Sequence, residues 1–168
     1  MEQPTSTLEE AAMKRLLERD VTLEEIAELV FDLQAPYIED ITMDRCLENV
    51  KQVLRKREVQ NAVLTGIELD ILAEEGKLSS PLQEIITNDE GLFGIDEVLA
   101  LAIVNVYGSI GLTNFGYLDK LKPKVINRLD SGKDSSEVNT FLDDIVGAIA
   151  AAAASRIAHS EPKLDSNY

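Results

Sequence analysis

From Val98 to Leu118 the chain runs through 21 residues, VLALAIVNVYGSIGLTNFGYL, without a single charge. A run of that length has two outlets. It can cross a bilayer, which takes about 20 residues, or it can be covered by other helices in a bundle. Asn105, Ser109, Thr113, Asn114 and three glycines interrupt it, and Asp96-Glu97 abut its start. The second reading is therefore the better one: a hydrophobic helix over about 95–107, then looser chain around Gly108, Gly111 and Gly116. A further apolar stretch, IVGAIAAAAASRIA at 145–158, has 14 residues, one arginine and mostly alanine. That is short for a span, and Ala150–Ala154 suit close packing against another helix or another subunit. Both stretches are expected as the central helices of an all-α, single-domain, multi-helix bundle.

The remainder of the sequence supports helices. Strand alternation and hairpin dipeptides are scarce, while helix formers are abundant. The expected helices run from Ser6 or Thr7 to Arg19, from the Thr22/Glu25 capping box to Gln34, and from Thr42 to Glu75 with a break near Lys56. Ser80-Pro81 is expected to open a short helix to Thr87. Residues 117–129 are expected as a helix with Pro123 at a start or kink, 130–136 as a loop, and 137–159 as the last helix. Residues 1–85 thus read as amphipathic helices, 86–160 as an acidic core, and 161–168 as a frayed tail.

Charge narrows the function. Lys plus Arg is 16 and Asp plus Glu is 31, a net charge of −15. This excludes nucleic acid as the main partner, since that binding depends on surplus cationic side chains. One cysteine, Cys46, rules out an internal disulfide framework and fits the cytoplasm. One histidine, His159, rules out a histidine metal cluster. No basic segment followed by an apolar stretch opens the chain, so no secretory signal is read. Phosphate-binding glycine loops and G-x-S-x-G elbows are absent.

Chemistry is left to carboxylates in unexpected company. Asp96-Glu97 open the first hydrophobic helix, Asp119 lies in YLDKLKP, and Asp143-Asp144 sit between Phe141-Leu142 and Ile145-Val146. Acids are rarely buried without partners. They can serve as helix caps and solvated faces, where a first turn suits negative charge. If they converge, two like charges 4 Å apart repel by roughly 4 kcal/mol at an effective dielectric of 20. Such a cluster must hold protons or a cation, and hard oxygen ligands favour Mg²⁺ or Mn²⁺. A basic strip, Lys120, Lys122, Lys124, Arg128 and Lys133, follows at once. It would suit a phosphate group beside a metal, or simply a solvated helix face.

The order NDEGLFGIDEVLALAIV (88–104), FGYLDKLKPKVINRLD (115–130), FLDDIVGAIAAA (141–152) resembles the phosphatidylglycerophosphatase A family. The chain as a whole is similar to a soluble, low-temperature-requirement-type branch from Gram-positive bacteria. The resemblance implies a Mg²⁺-dependent phosphatase that converts phosphatidylglycerophosphate to phosphatidylglycerol. It implies Asp96, Glu97, Asp143 and Asp144 as metal ligands, Asp119 as ligand or acid–base residue, and Lys122 as a phosphate contact, with Lys124 and Arg128 beside it. The implied partner is a phosphorylated lipid or a small phosphate ester, met at the inner face of the membrane. Two departures stand out. The charged helices of residues 1–85 replace a hydrophobic span, and Gly116 replaces an arginine three residues before Asp119. A catalytically inactive metal- or ligand-binding module of the same fold, and a structural oligomer, are the alternatives.

Overall fold

Thr7, Thr22 and Thr42 each accept a backbone N–H from three residues on, which satisfies donors that a helix start otherwise leaves bare. At Thr7 and Thr22 the third residue, Glu10 or Glu25, returns the bond and completes a capping box. These caps open α1 (Leu8–Glu18), α2 (Leu23–Gln34) and α3 (Met43–Leu54) of a computed structural model that describes residues 7–130 and 136–161. Extended backbone at Lys56 separates α3 from α4 (Arg57–Glu74), at the break expected from the sequence. Gly76, at φ +67°, then turns the chain in a conformation that costs glycine little. The short α5 (Leu82–Thr87) starts after Pro81.

The uncharged run does not form one helix. It forms α6 (Ile95–Val104), a single 3-10 turn (Asn105–Tyr107) and α7 (Ser109–Leu121). Gly108 provides the corner at φ +81°, ψ −160°. Among the described residues no helix is long and apolar enough to cross a membrane. The expectation of loose chain over Gly108–Gly116 is corrected here, because α7 begins at Ser109. Gly111 eases it: a Cβ there would stand 3.0 Å from Val104 Cγ1 and 3.3 Å from the Val104 carbonyl oxygen, a tight contact that glycine avoids. The expected helix over 117–129 is likewise split. Lys122 ends α7 in the left-handed region (φ +46°), and α8 (Val125–Asp130) starts beyond Pro123.

The last helix, α9 (Leu142–Ser160), is the axis of the molecule. Helices α2, α3, α4, α6, α7 and α8 all pack on it, and every residue from Leu142 to Ser155 is buried. The alanine run explains the close approach: Ala150–Ala154 are fully buried by this chain's own helices. The surface they would present to a second subunit is thus already covered, and any contact between copies would run through another face. Helix α6 buries Ala100, Ile103 and Val104 but leaves Ile95, Val98 and Leu101 outward. Helix α9 starts at Leu142, five residues later than its expected start at Glu137, for a reason given below. The loop expected at 130–136 and the tail at 161–168 lie largely outside the described residues, Lys133 among them.

Candidate active site at the amino end of the central helix

Asp143 and Asp144 occupy the first turn of α9, and both are buried, at 5% and 7% exposure. Adjacent helical residues diverge by about 100°, so one of a pair is ordinarily free to face water. Here both are covered by the helices packed on α9. Asp143 Oδ1 accepts the Asp144 backbone N–H at 2.8 Å. Its Oδ2 lies 3.4 Å from Lys122 Nζ. That ammonium is also 3.7 Å from Asp119 Oδ1 and 3.6 Å from Asp130 Oδ1. One cation therefore serves three aspartates from α7, α8 and α9. Burial alone would lower the Lys122 pKa, but Asp143, Asp130 and Asp119 outweigh it and hold the proton more firmly than usual.

The Asp144 carboxylate stands apart. Among the described residues it accepts no hydrogen bond and pairs with no cation. Burial, followed by the charges of Asp143, Asp96 and Asp119, pushes its pKa up to about 9, against the charge of Lys122. Burial raises Asp143 to about 7 against the pull of Lys122, with Asp89 adding to the rise. Four of the five carboxylates singled out in the sequence thus share one field: Asp96 from α6, Asp119 from α7, and the α9 pair. Glu97 is exposed on the first turn of α6, where Asp96 Oδ1 accepts its N–H at 3.0 Å. Among the described residues no three carboxylates stand in a metal-holding arrangement.

The basic strip divides. Lys122 joins the aspartates. Lys124 pairs with Asp32 at 2.7 Å and Glu28 at 3.8 Å, and Arg128 with Glu25 at 2.5 Å and the Asp20 carbonyl at 2.6 Å. Those two cations tie α8 to α2. A cavity of about 430 Å³, lined in part by Asp89, Asp130, Asn139 and Thr140, shares Asp89 and Asp130 with the cluster. Exposed apolar side chains lie on the outer faces of the same helices, Ile95 and Val98 on α6 and Tyr117 and Leu121 on α7. Val98, Tyr117 and Leu121 stand two positions from Asp96 or Asp119 and so on the other side of the helix.

Reading the sequence missed Asp70, Glu74, Asp89 and Asp130. Asp70 had a signal, since it falls on the same helical stripe as the buried Val59, Val63, Ile67 and Ala73. It is completely buried and accepts the N–H groups of Phe141 and Leu142. Burial raises its pKa well above the usual range, against those two bonds.

Comparison with known proteins matches this framework. The family model described as phosphatidylglycerophosphatase A covers residues 19–159. The uncharacterized protein YutG of Bacillus subtilis (strain 168) is 60% identical over 154 residues, 92% of this chain and 92% of its own. A solved structure of a protein of unknown function from Bacillus stearothermophilus superposes with a TM-score of 0.91 at 60% identity, covering 95% of this chain and 98% of that one. The low temperature requirement C protein from Listeria monocytogenes gives 0.90 at 62% identity, covering 92% and 97%.

Proposed function

The chain belongs to the phosphatidylglycerophosphatase A family, and from that premise we propose that it hydrolyses a phosphate monoester at the amino end of α9. The observation that carries this is the buried Asp143–Asp144 pair, one member paired with Lys122 and the other without a hydrogen bond or ion pair to its carboxylate among the described residues. A nearly buried carboxylate with no partner is costly. Asp144 must therefore hold a proton or receive a cation, and the donor set there is all hard oxygen, which fits Mg²⁺ or Mn²⁺. Mg²⁺ is ordinarily held by one or two carboxylates, waters and substrate phosphate, so it does not need three converged acids. Asp143 and Asp144 would hold it, with Asp96 and Asp119 near enough to add charge and Glu97 at the rim. When bound, the ion supplies positive charge for the phosphoryl oxygens.

The chain's own residues do the rest. Lys122 donates to a phosphate oxygen once the ester displaces part of its aspartate company. Asp119, beside Lys122, accepts the proton of the attacking water or returns one to the leaving alcohol oxygen. Enclosure by α6, α7 and α9 lowers the local dielectric and strengthens each of these contacts. In this reading Lys124 and Arg128, held by α2, fix the position of α8 and lie one step back from the phosphate.

The exposed apolar side chains of α6 and α7 support a lipid ester. Ile95, Val98, Tyr117 and Leu121 give α6 and α7 an apolar outer surface that can rest against lipid while the phosphate reaches Lys122. Phosphatidylglycerophosphate is then the substrate and phosphatidylglycerol the product, met by a cytoplasmic protein at the inner face of the membrane. The test is phosphate release from that lipid in mixed micelles with Mg²⁺ or Mn²⁺. The native protein should turn over, and Asp143→Asn with Asp144→Asn should neither bind the ion nor release phosphate. Folded, metal-loaded native protein that releases no phosphate from the lipid or from small esters overturns the enzymatic reading.

One feature favours a second reading, a binding module that has lost turnover. Gly116, where the family resemblance calls for arginine, is exposed, and a Cβ there would meet nothing within 4 Å. No other side chain fills the place. Native affinity for the ion without turnover would support that reading.

A further inference from the structure

Helix α9 has no cap of its own. Phe141, the residue before it, makes no side-chain capping bond. The cap comes instead from α4, 71 residues earlier in the chain. Asp70 Oδ1 accepts the Phe141 N–H at 3.1 Å, and Oδ2 accepts Phe141 at 3.2 Å and Leu142 at 3.0 Å. One turn further along α4, Glu74 accepts the Val138 N–H at 2.7 Å. Arg19 holds Glu74 and donates to the Val138 carbonyl at 2.8 Å. Residues 138–142 are thus gripped along one face of α4, which is why α9 does not begin at Glu137. The next two residues are Asp143 and Asp144.

We propose that Asp70 is a positioning residue for the phosphatase site: by capping α9 from α4 it sets where Asp143 and Asp144 stand relative to Lys122, Asp96 and Asp119. This rests on the reading of the site given above. A carboxylate suits a helix amino terminus for stability alone. Its placement here is costly for that purpose, since it is fully buried and its bonds to two amides and the charge of Arg19 do not offset the burial, a cost that a neutral local cap would not carry. What the arrangement gains is a rigid link between the α4 backbone and the first turn of α9. Displacement of about 1 Å at a reacting group is enough to cost about 100-fold in rate.

The test compares native protein with Asp70→Ala, Asp70→Asn and a control, Val50→Ala, which removes buried volume from α3 but none of the hydrogen bonds of this cap. Amide exchange and shifts are read first on metal-free protein by NMR. Asp70→Ala should speed exchange at Phe141 and Leu142 and move the Asp143 and Asp144 signals, while Val50→Ala should not. Mn²⁺ affinity should then fall about tenfold or more in Asp70→Ala, as for other residues that orient metal ligands. In lipid turnover kcat should fall with KM little changed. Asp70→Asn, which keeps an acceptor oxygen, should recover most of both. Native-like amides in Asp70→Ala, or equal losses of affinity in Asp70→Ala and Val50→Ala, overturn the proposal. If native protein binds no Mn²⁺ and releases no phosphate, the phosphatase reading falls by itself. The metal-free amide signals still decide whether Asp70 places the pair. Asp70→Ser, whose hydroxyl is too short to reach both amides, takes the same readings if Asp70→Ala does not fold.

Discussion

Lys122 Nζ lies 3.4 Å from Asp143 Oδ2, and it is the cation that α7 contributes to three aspartates at once. The lysine sits at φ +46°, and an unbranched methionine in its place inherits the same backbone strain, so the loss of charge can be read cleanly. Lys122→Met should cut kcat/KM for phosphate-ester hydrolysis by about 100-fold, the scale seen when one donor to a developing oxyanion is lost. Mg²⁺ affinity should rise, because the competing ammonium is gone. Phosphate release and calorimetric titration check the two halves, and unchanged turnover would remove Lys122 from the phosphate.

How much of this was legible in the sequence follows from the range of the forces involved. The helix start at Thr7, the capping box at Thr22 and the break at Lys56 are local chemistry, and each appears where its residues imply. Asp143 and Asp144 stood out because charge inside an apolar helix is anomalous wherever it occurs. The start of α9 was not legible, since Val138, Phe141 and Leu142 are held by acids more than 60 residues away. Nor was the division of the basic strip, which depends on α2 reaching Lys124 and Arg128. Gly111 read as a breaker because the sequence does not display the Val104 side chain that favours it.

Two glycines should respond oppositely to alanine. At Gly66 a Cβ would fall 2.3 Å from Ile145 Cδ1 and 3.1 Å from Phe141 Cβ. Gly66→Ala should therefore destabilise by about 1–3 kcal/mol through overpacking. At Gly116, inside α7 with open space around it, Gly116→Ala should stabilise by about 0.5–1 kcal/mol through reduced backbone freedom in the unfolded chain. Urea unfolding midpoints decide both, and a loss of stability at Gly116 would contradict the open surroundings there.

The Arg19–Glu74 pair should make stability sensitive to acid. Burial opposes the charge on Glu74, but its bonds from Arg19 and Val138 outweigh that and lower its pKa. A carboxylate depressed in the folded state contributes stability above its ordinary value of 4.5 and loses it as pH falls through the lower folded value. Stability curves at pH 7, 4 and 3 should thus fall more steeply for native protein than for Glu74→Gln. Parallel curves would show that the pair is not coupled to folding.

Cys46 is completely buried in α3, and burial pushes its thiol up to about 11, with Arg45 opposing. The thiolate is the reactive form, so this cysteine should be inert toward a disulfide reagent at pH 8 until the protein unfolds. Its labelling rate, followed through a urea series, should track the unfolded fraction. Rapid labelling in buffer would mean that α3 opens locally.

The apolar outer surface of α6 and α7 separates a lipid substrate from a soluble one. Val98 and Leu121 are 60% and 54% exposed, so changing them to serine should leave stability within about 0.5 kcal/mol. If acyl chain covers them, each substitution removes apolar contact worth about 0.8 kcal/mol per buried methylene. The double variant Val98→Ser, Leu121→Ser should then lose about tenfold or more in kcat/KM on phosphatidylglycerophosphate micelles. Glycerol phosphate, which has no chain to cover, should be hydrolysed by variant and native protein alike. Equal losses on both substrates would mean that these side chains act on the helices that carry the acids and not on the lipid. No loss on either would place the acyl chains elsewhere and leave the outward face of α6 and α7 without a role in turnover.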